Sequence, residues 1–211
     1  MMVIIDYGLG NIGSITNALA KLGIKAQLSS KSQDIFKADA IIFPGDGAAE
    51  QAMANLKKRN LINSIKEIIL SGKPFLGICL GMQILLSFSE EGNVECLDVI
   101  KGKVIRFKSD LKIPQIGWNQ VQRVQNTALK INNLFKDIPD RSYFYFINGY
   151  YCLTDEKEIV VAETNYGQIF CSVFMKKNVI GVQFHPEKSG VAGLNFLKNF
   201  TDFAYANNSG N

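Results

Sequence analysis

The sequence predicts an α/β fold: a single domain with a mostly parallel central sheet, extended by antiparallel strands and covered by helices on both faces. Three observations predict it. In the first half, short apolar runs alternate with amphipathic helical patterns, as in strands joined by crossover helices. In the second half, strand-like runs follow one another, separated by polar turn residues. No Pro/Ser-rich linker, repeat or low-complexity segment divides the halves.

Met2 to Asp6 is a buried-strand pattern. Asn11 to Leu22 reads as a helix, with Ile12, Ile15, Leu19 and Leu22 on one face. Ile24 to Leu28 and Asp39 to Phe43 are the next strands, the latter stopped by Pro44-Gly45-Asp46-Gly47. Ala48 to Arg59 and Leu61 to Leu70 read as helices, Pro74 to Ile78 as a fourth strand, and Gly81 to Ser89 as a further helix. Val104 to Phe107, Tyr143 to Ile147, Glu158 to Glu163, Ile169 to Met175 and Val179 to Phe184 are strand-like. Lys177-Asn178 and Asn165-Tyr166-Gly167 are turn candidates between them. Gly193 to Ala206 closes a domain spanning residues 1–206 as a helix, and residues 207–211 are expected to be a disordered tail.

The 211 residues are 47% hydrophobic, enough for a substantial core in one domain. The net charge of +4 is scattered rather than gathered in a stripe, which argues against nucleic acid as partner. The longest uncharged run, Pro74 to Ser89, is too short and too interrupted by Pro and Gly to span a bilayer. The opening residues have neither the basic region nor the cleavage site of a signal peptide. The four cysteines form no C-x-x-C pair, and one histidine rules out zinc-finger spacing, so neither metal nor cofactor is expected. A reducing cytoplasm is the expected location.

Gly77-Ile78-Cys79-Leu80-Gly81 follows a buried strand and opens a helix, the cysteine counterpart of G-x-S-x-G. On such a sharp turn the flanking glycines avoid clashes, and the sulfur sits near a helix N-terminus, which favours thiolate. The Leu80 N–H is then free to stabilise an oxyanion. Cys96, Cys152 and Cys171 lack this context and read as small buried hydrophobes. His185 follows a strand, and Pro186 biases it toward extended angles. In an extended segment Glu187 points the same way as His185, so the carboxylate can orient the ring. Taken alone, His-Pro-Glu reads as a structural histidine beside a solvated glutamate. If Cys79 uses a histidine base, however, His185 is the only one in the chain.

Gly77-Ile-Cys-Leu-Gly-Met-Gln83 and Phe184-His-Pro-Glu187 resemble the signature pair of class I (triad) glutamine amidotransferases. Further segments match: Asp6 to Asn11, Pro44 to Gly47, Pro114 to Asn119, Tyr143 to Phe146, Tyr166-Gly167 and Gly181 to Gly190. The resemblance implies that Cys79 attacks the side-chain amide of glutamine, giving a thioester and ammonia, with His185 as proton carrier and Glu187 as its orienter. It implies that the backbone N–H groups of Leu80 and Asp46 form the oxyanion hole. Gly45, Gly47, Gln83, Asn148, Gly149 and Tyr150 would bind glutamine. The matching branch is similar to heterodimeric glutaminases that pass ammonia to a β/α-barrel synthase partner, which builds it into an imidazole ring for histidine biosynthesis. Asn11 would lie at that partner contact. The alternative within the family is the same glutaminase serving a synthase that amidates a surface-polysaccharide sugar.

Two positions depart from the family pattern. The loop commonly reads Pro-Gly-Val-Gly, and here position 46 is aspartate. A carboxylate aimed at an oxyanion would oppose it, so Asp46 is expected to point outward and cap the helix starting near Ala48. Position 149 is glycine where serine is common, which removes a hydroxyl from the pocket. Finally, Gly8-Leu-Gly10-Asn-Ile-Gly13 fits G-x-G-x-x-G, with Asp34 at about the spacing of a ribose-binding acid. Asp34 lies in a polar segment rather than at a strand end, and a tight β–α turn is the simpler reading. A non-catalytic nucleotide-binding module remains the competing class.

Overall fold

A computed structural model describes residues 1–108, 110–124 and 133–206. Five parallel strands form its centre, in the order β2 (Ala26–Ser29), β1 (Met2–Ile5), β3 (Ala40–Phe43), β4 (Phe75–Ile78) and β13 (Val179–Val182). Alternate residues of these strands face opposite layers. Met2, Ile4, Ile42 and Ile78 pack on Ile15 and Leu19 of α1 (Ile12–Lys21) and on Phe196 and Phe200 of α6 (Gly190–Ala206). Val3, Ile5, Ile41 and Phe43 pack on α2 (Ser32–Lys37), α3 (Ala49–Lys58) and α4 (Leu61–Leu70). Helices therefore cover both faces, as the alternation in the sequence requires.

Beyond β13 the sheet turns antiparallel through β12 (Ile169–Lys176) and β10 (Tyr150–Thr154), the latter pairing antiparallel with β7 (Gly102–Arg106). The β12–β13 hairpin turns on Lys177-Asn178, with Lys177 at φ 56°, as the turn chemistry predicts. Two short strands, β5 (Phe88–Ser89) and β6 (Val94–Glu95), close that edge. A branch leaves through β11 (Val160–Asn165) to β8 (Gln115–Arg123) and β9 (Ser142–Asn148).

The structure differs from the sequence reading in several elements. The helix expected over 81–89 is a single turn, α5 (Leu80–Gln83). Its continuation is displaced because the carbonyls of Ile84, Leu85 and Leu86 accept instead from the N–H groups of residues 97–100. Helix α2 falls in the segment around Asp34 that reads only as polar, and Ile35 is its one buried residue. Strands β8 and β10 were not anticipated. In β8 exposure alternates, but the exposed face carries Ile116 and Trp118 and the inner face Gln115, Gly117 and Asn119, so the apolar residues fall on the opposite side from that of a half-buried strand. Strand β2 starts two residues later than expected. The expected C-terminal tail lies outside the described residues.

Parallel pairing puts the carboxyl ends of β1, β3, β4 and β13 on one edge, where open α/β sheets place their sites. The edge is braced by aromatic rings. Phe184, fully buried just before His185, packs against Phe144, Phe146 and Phe196 at centroid distances of 4.1, 6.0 and 5.5 Å. Phe184→Ala should cost about 3–5 kcal/mol of folding free energy. A urea titration should register this as a clear fall in midpoint, and an unchanged midpoint would mean that the cluster does not brace the edge.

Candidate active site

Strand β4 ends at Cys79, whose φ of 53° and ψ of −111° lie where side chains are rarely tolerated. Close packing enforces this turn. A Cβ on Gly81 would fall 2.0 Å from the Phe43 carbonyl oxygen, and one on Gly77 would fall 2.8 Å from the Gly81 oxygen. The Cys79 N–H donates to Val182 O at 2.7 Å, which locks the turn to β13. Leu80 then occupies the first helical position, where a backbone N–H has no intrahelical acceptor.

Three residues beyond Val182, the chain brings His185 beside the sulfur. The imidazole shares a cavity wall with Cys79, and its Nδ1 lies 2.8 Å from Glu187 Oε1. Both side chains of the His–Glu pair are buried, at 4% and 1% exposure, so solvent screens this charge pair little. The histidine backbone is equally fixed. Its N–H donates to Tyr145 O at 2.9 Å, and Ser189 Oγ donates to its carbonyl at 2.6 Å. Burial works to lower the His185 pKa. It is outweighed by the negative Cys79 sulfur, and then by Glu187, so the value is pushed up to about 10. The arrangement sets a protonated imidazole, held by the carboxylate, against the sulfur.

A cavity of about 150 Å³, on the order of five water volumes, opens over the sulfur. Its walls contain nearly every residue expected there from sequence: Asp46, Gly47, Leu80, Gln83, Asn148, Gly149 and Tyr150, with Cys79 and His185. Gln83 spends its amide hydrogens on Tyr150 O and Gln183 Oε1, both at 3.0 Å. The Asn148 Oδ1 is buried and unpaired. Gly45 lies beneath this wall, where a Cβ would fall 2.8 Å from both Gly81 N and Leu80 Cβ. Asn11 stands apart from the cavity and caps α1 by accepting from Ser14 N at 3.2 Å. A larger groove, about 580 Å³, runs between β8 and β11, but it is lined by neither thiol nor imidazole. Among the described residues no cluster of His, Cys, Asp and Glu could hold a metal ion.

Two expectations need correction. Asp46 does not cap α3, whose start has no side-chain cap from its own N-cap residue, Ala48. Glu91 Oε2 instead accepts from Ala49 N at 3.0 Å, while Asp46 Oδ1 accepts from Gly10 N at 2.9 Å. The carboxylate is thus drawn toward the β1–α1 loop, whose bare N–H is the nearer donor. Cys96 is only half-buried, unlike Cys152 and Cys171. Asp34 accepts from Ser29 Oγ and Gln27 Nε2 and sits in α2 rather than at a strand end, in keeping with the tight-turn reading of the glycine motif. Sequence reasoning also missed Glu91 and Lys188, which line the cavity. Glu91 carries no motif, and only the fold brings it there.

A buried thiol–imidazole–carboxylate set on a strand-to-helix turn defines the class, and the comparisons agree with it. The family model described as Glutamine amidotransferase class-I matches residues 3–203, and the chain belongs to that family. Over 206 residues it is 47% identical to the imidazole glycerol phosphate synthase subunit HisH of Chlorobaculum tepidum, covering 96% of this chain and 100% of that one. It is also 47% identical, over 205 residues, to HisH of Methanosarcina barkeri, covering 95% and 98%. Among solved structures, a glutamine amidotransferase aligns with a TM-score of 0.74 at 17% identity, covering 96% of this chain and 98% of that one. PurLQS from Thermotoga maritima aligns equally well, with a TM-score of 0.74 at 18% identity over 96% and 97%. At such identities the structural matches speak for the fold.

The single histidine makes its titration easy to follow. Its folded pKa lies above the ordinary value of 6.5, so protonated His185 contributes stability that is complete below about pH 6.5 and lost as pH rises toward about 10. By NMR, the lone imidazole signal should stay in its protonated position through about pH 8. In Cys79→Ser the opposing burial is left against Glu187 alone, and the midpoint should fall. A wild-type midpoint near 6.5 would refute the charge pair.

Proposed function

We propose that this chain is the glutaminase subunit of imidazole glycerol phosphate synthase in histidine biosynthesis. It hydrolyses glutamine to glutamate and ammonia, and passes the ammonia to a β/α-barrel synthase subunit with which it forms a heterodimer in the cytoplasm. The observation that carries the chemistry is the contact of Cys79 with the imidazole that Glu187 orients. The choice of synthase over a sugar-amidating partner rests on relatives 43–47% identical over nearly the whole chain, all named as subunits of imidazole glycerol phosphate synthase. No helix among the described residues is long and apolar enough to cross a membrane.

In this reading Cys79 Sγ attacks the carboxamide carbon of glutamine. The oxyanion that forms is met by the N–H groups of Leu80 and, from the facing loop, Asp46. Protonated His185 delivers its proton to the leaving nitrogen, and the C–N bond breaks to give a γ-glutamyl thioester and ammonia. His185 then takes a proton from water, whose oxygen displaces the sulfur and releases glutamate. Glu187 keeps the ring in one tautomer and balances its charge. The unpaired Asn148 Oδ1 is an acceptor for a substrate N–H, and the carboxylate of Glu91 suits the α-ammonium group. Gly45 and Gly47 let the loop pass close to the substrate, and Gly149 and Tyr150 offer backbone to it. In the same reading Asn11, on the loop next to Gly10, is the residue assigned to the partner contact, an assignment that rests on the family resemblance.

The test is glutamate release by the purified chain, alone and with its cognate barrel synthase and that enzyme's nucleotide ligand. Release should depend on the partner. It should vanish in Cys79→Ala and fall about 10²–10⁴-fold in His185→Asn. A folded wild-type chain that releases no glutamate in either state would defeat the assignment. A nucleotide-binding module would instead keep its function in Cys79→Ala.

A further inference from the structure

Tyr7 follows β1 and is wholly buried. Its ring packs against Phe43 at a centroid distance of 5.2 Å, which carries the hydroxyl beneath the loop that leaves β3. The approach is close: a Cβ built on Gly45 would fall 2.6 Å from the Tyr7 hydroxyl oxygen. Yet that hydroxyl has no hydrogen-bond partner. A buried donor left unpaired is costly, and a native structure that keeps one has a reason to. Ionisation does not relieve it. Burial, followed by the negative charges of Asp46 and Cys79, drives the phenol pKa up, so the group stays a donor.

The Gly45 backbone, which passes this close to the hydroxyl, carries a carbonyl that can accept from it. A trans peptide carries its N–H and C=O on opposite sides. When the Asp46 N–H faces the cavity over Cys79, the Gly45 carbonyl must face the other way, into the layer occupied by the Tyr7 hydroxyl. Because the hydroxyl is unpaired here, the carbonyl does not hold that position in this structure. Gly45 lacks a Cβ, so its backbone can turn at little cost. The arrangement seen is held from outside, by the Gly10 N–H on Asp46 Oδ1. Leu80 supplies one oxyanion donor at the start of α5, and a second must come from the facing loop.

We propose that Tyr7 is a positioning residue: its hydroxyl donates to the Gly45 carbonyl in the loop arrangement that turns the Asp46 N–H toward Cys79, and so stabilises the second oxyanion donor. The proposal rests on the glutaminase reading above. Tyr7 acts through the loop and not on the substrate, so its loss should change turnover and leave substrate affinity alone.

Tyr7→Phe removes the hydroxyl and keeps the ring. It should be assayed as the complex with the barrel synthase and its nucleotide ligand, beside wild type. The expected result is a melting temperature equal to or above wild type, a KM for glutamine within about twofold, and a kcat lowered about tenfold or more. A kcat within twofold of wild type would overturn the proposal. So would a lower melting temperature, which would mean that the hydroxyl already bonds in the resting fold, or a loss that appears wholly in KM. Absence of glutamate release by wild type would instead remove the glutaminase reading, and this inference with it.

Discussion

The backbone of Cys79 is the constraint on which the site depends. A non-glycine residue at φ 53° and ψ −111° stores on the order of 1–3 kcal/mol and persists only where its surroundings leave no alternative. Here they leave none. Gly81 presses against the Phe43 carbonyl, Gly77 against Gly81, and Val182 O takes the Cys79 N–H. Relaxing the turn would separate β3 from β4 or break the β4–β13 ladder. The strain is thus supported by the parallel sheet itself, and it points a sulfur outward at the edge where β13 delivers the histidine.

What the turn exposes, the second half of the chain makes reactive. Burial pushes up the thiols of Cys96, Cys152 and Cys171, Cys96 to about 12, and an inert cysteine in this protein is a protonated one. Cys79 differs in having an imidazole against it. That imidazole would be driven neutral by its own burial were it not for the sulfur and the carboxylate on either side. The antiparallel branch secures the arrangement: on β9 the Tyr145 carbonyl accepts the His185 N–H, the Tyr145 N–H donates to Ser189 Oγ, and the strand end supplies the cavity wall at Asn148. The mixed sheet is therefore functional in its mixture. Parallel strands align the ends, and antiparallel strands clamp the base.

Sequence made legible those parts whose cause is local. The parallel strands appear as unbroken apolar runs because both faces are buried. The turn at Cys79 appears because glycine is the only residue that fits on either side of it. The pairing of His185 with Glu187 follows from the two-residue period of extended chain, and the choice of base from there being one histidine. Features set by distant chain were not legible. Helix α5 stops after one turn because residues 97–100 take the carbonyls of Ile84, Leu85 and Leu86 that would have continued it. Strand β8 turns Ile116 and Trp118 outward and Gln115, Gly117 and Asn119 inward, so its apolar residues do not mark its inner face, and its pairing with β9 and β11 is what defines it. Glu91 is twelve residues past Cys79 in an unremarkable polar stretch, and only the fold brings it to the cavity.

Asp46 and Glu91 show how the same local rule can pick the wrong carboxylate. An aspartate shortly before a helix is a sound capping candidate, and the α3 N-terminus does take a carboxylate. It takes the one from sequence-distant Glu91, because Asp46 is already committed to Gly10 N. The exchange has a consequence for the site. Glu91 is half-buried, which works to raise its pKa, while the Ala49 N–H works to lower it. Burial prevails and holds the carboxyl above its ordinary value, while the helix start it caps offsets part of the rise; the same group faces the cavity. Asp46, meanwhile, connects the loop over Cys79 to the β1–α1 loop that carries Asn11. The two acidic residues thereby divide what one cap would have done: one holds the helix and presents charge to the cavity, and the other links the cavity wall to an outer surface of the fold.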